Sequence, residues 1–197
     1  MSYTEDDFES ISDIRHLVPA AASLARLDEA LARSPDAASV YRPGQARREA
    51  IHIAALEGSL VRMESLCRVL GDREATNLDR SVRLAADIHD ALEAVTGWTD
   101  DPPAADDLRK LFGLADASSG RRLKQDLVWS LEEDCHWLHN ELLAFMERPN
   151  PWDAIENLRS LWTSGRFLGT AKRMALVIAP WMLSKGFECR LPVVGLA

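Results

Sequence analysis

The sequence predicts an all-α fold, a bundle of about seven helices, on three observations. Apolar residues recur at spacings of three and four over most of the chain, the period of one helix face. No stretch alternates apolar and polar as a half-buried strand does. Segments rich in proline, glycine and serine, "RSPDAASVYRPGQ", "TGWTDDPPAADD", "ADASSGR" and "ERPNPW", separate the periodic runs. With 197 residues, 47% of them hydrophobic, the chain is long enough to bury a core.

Residues 1–45 read as an N-terminal arm and helix, the helix running from Ala20 to Arg33, and residues 46–197 as the main helical domain. From Arg47 to Leu70, the set Ile53, Leu56, Leu60, Met63, Cys67 and Leu70 traces one long amphipathic helix that Gly71 stops. Leu78, Val82, Ala85, His89, Leu92 and Val95 trace a second, closed by Gly97. A short helix follows from Asp106 to Leu114. Leu123, Leu127, Leu131, Cys135, Leu138, Leu142 and Phe145 trace a third long one, ended by Pro149. Trp152 to Thr163 forms another short helix, and an apolar one from Thr170 to Ser184 carries Pro180, which should kink it by removing a backbone hydrogen bond. Leu60, Leu127, Leu131 and Ile178 are the core residues these stripes predict.

Charge and cysteines limit the function. With 23 Lys+Arg against 31 Asp+Glu, the net charge of -8 opposes general attraction to nucleic acid or anionic membrane. Cys67, Cys135 and Cys189 form no Cys-x-x-Cys pair and read as buried thiols of a reducing compartment. The acidic N-terminus "MSYTEDDFES" is unlike a signal peptide, and no run approaches the ~20 apolar residues of a membrane span. A cytoplasmic protein with no membrane partner is expected.

Glu49-Ala-Ile-His52 and Glu133-Asp-Cys-His136 each set a carboxylate and an imidazole on one helix face, as in di-metal carboxylate bundles. Such a centre draws on all four helices, and Glu93 and Glu74 do not complete it. His136 and His139, with Glu132 or Glu133, lack a distant third ligand. No metal and no cofactor is expected, and a di-metal bundle stands as a second alternative function. Gly-x-Ser-x-Gly, Gly-x-x-x-x-Gly-Lys-Ser/Thr and Gly-x-Gly-x-x-Gly are all absent.

The stretch "SGRFLGTAKRMALVIAPWMLSKG", Ser164 to Gly186, has the outline of a phosphate-binding loop: Gly169-Thr170-Ala171-Lys172 followed by an apolar helix whose N-terminus favours negative charge. A plain corner between helices, with Lys172 and Arg173 solvated, has the same outline. The segment resembles the end of the Fic fold, whose motif His-x-Phe-x-Asp/Glu-Gly-Asn-Gly-Arg-x-x-Arg precedes an apolar helix ending at glycine; with Gly169 on the first motif glycine, Gly186 meets the last one. "AALEGS", Ala54 to Ser59, resembles the inhibitory helix of many Fic proteins, with Glu57 and Gly58 at its Glu and Gly and Ile53 in place of its Ser/Thr.

On this register Ser164 replaces the catalytic His, Arg166 the Phe, Leu168 the magnesium-holding acid, Thr170 the Asn, Ala171 the second Gly, Lys172 the first Arg and Ala175 the second. The family's adenylyl transfer needs a base near working pH and a hard oxygen ligand for magnesium, and neither Ser164 nor Leu168 supplies one. The resemblance therefore implies a Fic-like shell without activity, retaining at Ser164, Gly169, Thr170, Lys172 and Arg173 no more than weak anion binding. The chain is also similar to a bacterial family of DNA-binding proteins in which such a region precedes a helix-turn-helix, and "LPVVGLA", Leu191 to Ala197, fits that junction. The implied function is a non-catalytic regulatory or interaction domain, the N-terminal part of a DNA-binding regulator whose partner is a protein or a C-terminal DNA-binding region. A diverged Fic-type adenylyl or phosphate transferase is the alternative.

Overall fold

Eight helices joined by short turns make up most of what the computed structural model describes, residues 22–72, 79–98, 101–119 and 125–189 together with Pro19. They are α1 (residues 22–33), α2 (Pro35–Leu56), α3 (Met63–Gly71), α4 (Arg80–Thr96), α5 (Ala105–Ala115), α6 (Gln125–Glu147), α7 (Pro151–Thr163) and α8 (Ala171–Gly186). No strand occurs among the described residues, so the fold is an all-α bundle. Leu78, Leu123 and the segment Leu191 to Ala197 lie outside them.

Local chemistry sets several helix starts. Pro35 and Pro151 stand in the first turns of α2 and α7, where a fixed φ is pre-organised and no N–H is lost. The Asp79 carboxylate accepts the Ser81 N–H at 2.9 Å to cap α4, and the Asn150 side chain accepts the Asp153 N–H at 3.0 Å to cap α7.

The single helix expected from Arg47 to Leu70 is two. Gly58, at φ +80, turns the chain out of α2, with its N–H donating to Ala55 O and the Ser59 N–H to Ala54 O, both at 2.9 Å. This paired closure satisfies the last carbonyls and favours glycine at the left-handed position. Leu60 falls in the connection that follows and is 89% exposed, so it is no core residue, and Leu56 is exposed too. Leu127, in the first turn of α6, is 37% exposed, whereas Leu131, Leu138 and Leu142 further along the helix are buried. Leu131 and Ile178 are buried as expected.

The supposed breaker "RSPDAASVYRPGQ" is also corrected, since α2 runs through Pro43 and across residue 45. Ala38, Ala46, Ala50, Ile53 and Ala54 of α2 are buried, and α2 packs along α4. Tertiary burial here outweighs the local cost of proline and glycine. Cys67 is exposed and Cys189 half-buried; of the cysteines only Cys135 is buried. The Cys67 correction follows from the break at Gly58, which gives α3 its own rotation, with Leu66 and Val69 inward.

Helix α4 lies at the centre, packing against α2, α3, α5 and α8 through Ala85, Ile88, Leu92 and Val95. Helices α7 and α8 form a tight antiparallel hairpin. At its open end, a Cβ added to Gly186 would stand 2.8 Å from Asn150 O, so only glycine allows this approach. Trp181 is fully buried and meets Trp98 edge-on, ring centroids 5.9 Å apart.

Candidate functional site

The connection between α7 and α8 contains Ser164, Gly169 and Thr170, and its backbone is bound up internally. Ser164 ends α7, its hydroxyl donating to Leu161 O at 2.8 Å and accepting the Arg166 N–H at 3.2 Å. The Gly169 N–H donates to Arg166 O at 3.1 Å and the Thr170 N–H to Phe167 O at 2.9 Å. Thr170 also donates its hydroxyl to Phe167 O at 2.6 Å, so it does not cap α8. The Gly169 and Thr170 N–H groups are therefore taken up within the turn.

Phe167 (φ 53), Leu168 (φ 54) and Gly169 (φ +85) are all left-handed. For the two residues with side chains this conformation costs roughly 1–2 kcal/mol each, and Asp134 offsets it. Its carboxylate, only 8% exposed, accepts the Phe167 N–H at 2.6 Å and an Arg166 N–H at 2.9 Å. The Arg166 guanidinium lies 4.4 Å from the centre of the Trp137 ring, and Phe167, fully buried, packs against Phe112. The turn is therefore clamped to α6 from beneath.

Lys172 and Arg173, adjacent in sequence, part company. Lys172 is exposed, its ammonium 5.6 Å from the centre of the Trp162 ring. Arg173 is buried and joins three helices. Its Nε donates to Glu57 Oε1 at 2.6 Å and its Nη2 to Glu57 Oε2, at the end of α2. Its Nη1 donates to Ala115 O at 2.5 Å and to Asp116 Oδ1 at 3.3 Å, at the end of α5. Burial opposes the charge on Arg173, but the hydrogen bond and charge of Glu57, then the charge of Asp116, outweigh it and hold its pKa above the ordinary value.

The structure thus unites Arg173 with Glu57, and leaves Lys172 and the Gly169 turn away from that pair. Asp116 and Asp134 were invisible as partners in the sequence. Asp116 follows a helix and precedes two serines, which reads only as a turn. Asp134 lies among Glu132, Glu133 and Cys135, which reads as a solvated face. Arg173, with Glu57, Ser59, Arg80, Ser81, Leu84, Asp116, Ser118 and Ser119, lines a cleft of about 330 Å³.

The Glu-x-x-His pairs do not converge: Glu49 is buried while His52 is exposed, and exposed His136 turns its Nδ1 to Glu132 O of its own helix at 2.8 Å. His139 Nδ1 instead lies 2.8 Å from Pro103 O. Among the described residues no group of three or more His, Cys, Asp or Glu is gathered to hold a metal ion. None of their helices is long and apolar enough to cross a membrane. No protein family, curated protein or solved structure matches this chain.

Proposed function

We propose that this chain is a non-catalytic helical domain for regulation or protein interaction. The observation that carries the reading is the use of Arg173: its guanidinium is taken up by Glu57, Asp116 and the Ala115 carbonyl, so it ties helices together where a transferase would hold phosphate. Around it Ser164 offers no base and Leu168 no side-chain oxygen for a metal, and the Gly169 and Thr170 N–H groups are held within the turn.

Helices α6 and α7 leave large apolar side chains in solvent, Trp129 at 64%, with Leu143, Trp152 and Ile155. Exposed tryptophan is enriched where proteins meet, which supports a protein partner. The resemblance of Ser164 to Gly186, and of Leu191 to Ala197, supports the narrower reading of a Fic-like N-terminal region of a DNA-binding regulator.

The test incubates the purified chain with labelled ATP, Mg²⁺ and candidate protein acceptors. No transfer is expected from wild type or from Ser164→His, since one imidazole restores neither a metal ligand nor a free guanidinium. Transfer by wild type at rates typical of enzymes overturns the proposal in favour of a diverged transferase.

A further inference from the structure

The walls of the cleft beside Arg173 come from the turn after α2 (Ser59), the first turns of α4 (Arg80, Ser81) and α8 (Arg173), and the 3₁₀ turn Ala117–Ser119 that follows α5. Its volume, about 330 Å³, lies at the small end of ligand pockets. Among the described residues Leu84 is its one apolar lining residue, which argues against an apolar ligand. The guanidiniums of Arg80 and Arg173 balance the carboxylates of Glu57 and Asp116, so among the described residues the lining carries no net charge.

The remaining hydrogen-bonding capacity is specific. Arg80 is exposed and makes no ion pair among the described residues. The hydroxyls of Ser59, Ser81 and Ser118, on half-buried residues, have no hydrogen-bond partner among the described residues. Each Glu57 oxygen accepts one N–H from Arg173, leaving further lone-pair capacity. An anion is poorly served here, because the backbone N–H groups it would use are already held by carboxylates: Ser81 N by Asp79 at 2.9 Å and Ser118 N by Asp87 at 2.6 Å. What remains is a set of side-chain donors and acceptors of balanced charge.

We propose that this cleft binds a small neutral polyol, a sugar-like molecule with adjacent hydroxyls. One hydroxyl accepts from Arg80, its neighbour donates to Glu57, and the serine hydroxyls take the rest, each acting as donor or acceptor. The C–H face of the ligand rests on Leu84. No part of this depends on the chain lacking catalysis, and the two tests read different quantities.

The experiment is a two-dimensional amide NMR titration of the full chain with D-glucose, D-ribose and myo-inositol in turn, each to about 50 mM, a range that detects millimolar binding. Inorganic phosphate is titrated separately. Saturable shifts at Ser59, Ser81, Ser118 and Ser119 from at least one polyol are expected, with affinity about tenfold weaker in Arg80→Ala, as for loss of a charged hydrogen bond. Arg80 is exposed, so its spectrum elsewhere should match wild type. No saturable shift from any of the three polyols overturns the proposal. So does an unchanged affinity in Arg80→Ala, or tighter saturation of the same resonances by phosphate, which would make the cleft an anion site.

Discussion

Arg173 and Glu57, 116 residues apart in sequence, form a two-pronged ion pair, with Nε donating to Oε1 at 2.6 Å. The Arg173 side chain is 10% exposed and Glu57 30%, so the guanidinium gives up most of its water and is repaid by a fork-to-fork match. The pair ties the start of α8 to the end of α2, and Asp116 extends the tie to α5.

Removing this guanidinium takes its positive charge away from the Asp116 carboxylate, which is 7% exposed. Arg173→Ala should lower stability by about 3–5 kcal/mol, measured by urea denaturation. Arg173→Lys should recover little, since one ammonium cannot reproduce the fork. Glu57→Gln should cost less, about 1–2 kcal/mol, because solvent reaches that side. A loss below about 1 kcal/mol for Arg173→Ala would show that the pair is screened like a surface bridge.

Asp134 holds the α7–α8 turn through the Phe167 N–H and Arg166. Asp134→Ala should cost about 1.5–3 kcal/mol, the value of hydrogen bonds to a buried charge. Hydrogen exchange should rise at the Phe167 amide while α4 stays protected. Uniform loss of protection instead would mean that the clamp governs the whole bundle.

Leu131 is 3% exposed and Leu60 89%. Leu131→Ala should cost ~2–5 kcal/mol, and Leu60→Ala within about 0.5 kcal/mol. Equal losses in denaturant titrations would contradict the break between α2 and α3.

Gly186→Ala should destabilise by about 1–3 kcal/mol through overpacking, since the new methyl meets Asn150 backbone at 2.8 Å and Ala154 Cβ at 3.2 Å. At Gly169 nothing lies within 4 Å of the added Cβ and the φ of +85 alone resists it. Gly169→Ala should therefore cost about 1 kcal/mol, recovered in part by Asn, which tolerates the left-handed region better. Thermal midpoints of the three variants separate the steric from the conformational cause.

Burial, with Asp134 next in effect, pushes the Cys135 thiol up to about 12, while Cys67 is exposed. Iodoacetamide at pH 8 should label Cys67 and spare Cys135, read by peptide mass spectrometry. Because the folded value lies above the unfolded one of about 8.5, the contribution of Cys135 to stability is complete below that pH. It is lost as pH rises towards 12. The variant Cys135→Ala should lose less stability over that interval than wild type.

Periodicity by itself determined the all-α class and the inward faces of α4 and the later part of α6, because Leu92, Val95, Leu131 and Leu142 can be satisfied by burying a single stripe. Glycine at the ends of segments was legible too, though Gly58, read as part of a resemblance, proved to be the stop that divides a helix. Local signals misled where tertiary burial outweighed them, as in α2, whose Pro43 and Gly44 would end an isolated helix. The candidate site was legible only in part. Arg173, Lys172 and Glu57 stood out as residues, but nothing along the chain says that Arg173 meets Glu57 and Asp116 while Lys172 meets Trp162. Successive helix positions are rotated by about 100°, so adjacent cations face different neighbours. Only the packing of α8 between the ends of α2 and α5 decides which of them is buried as a tie and which stays in solvent.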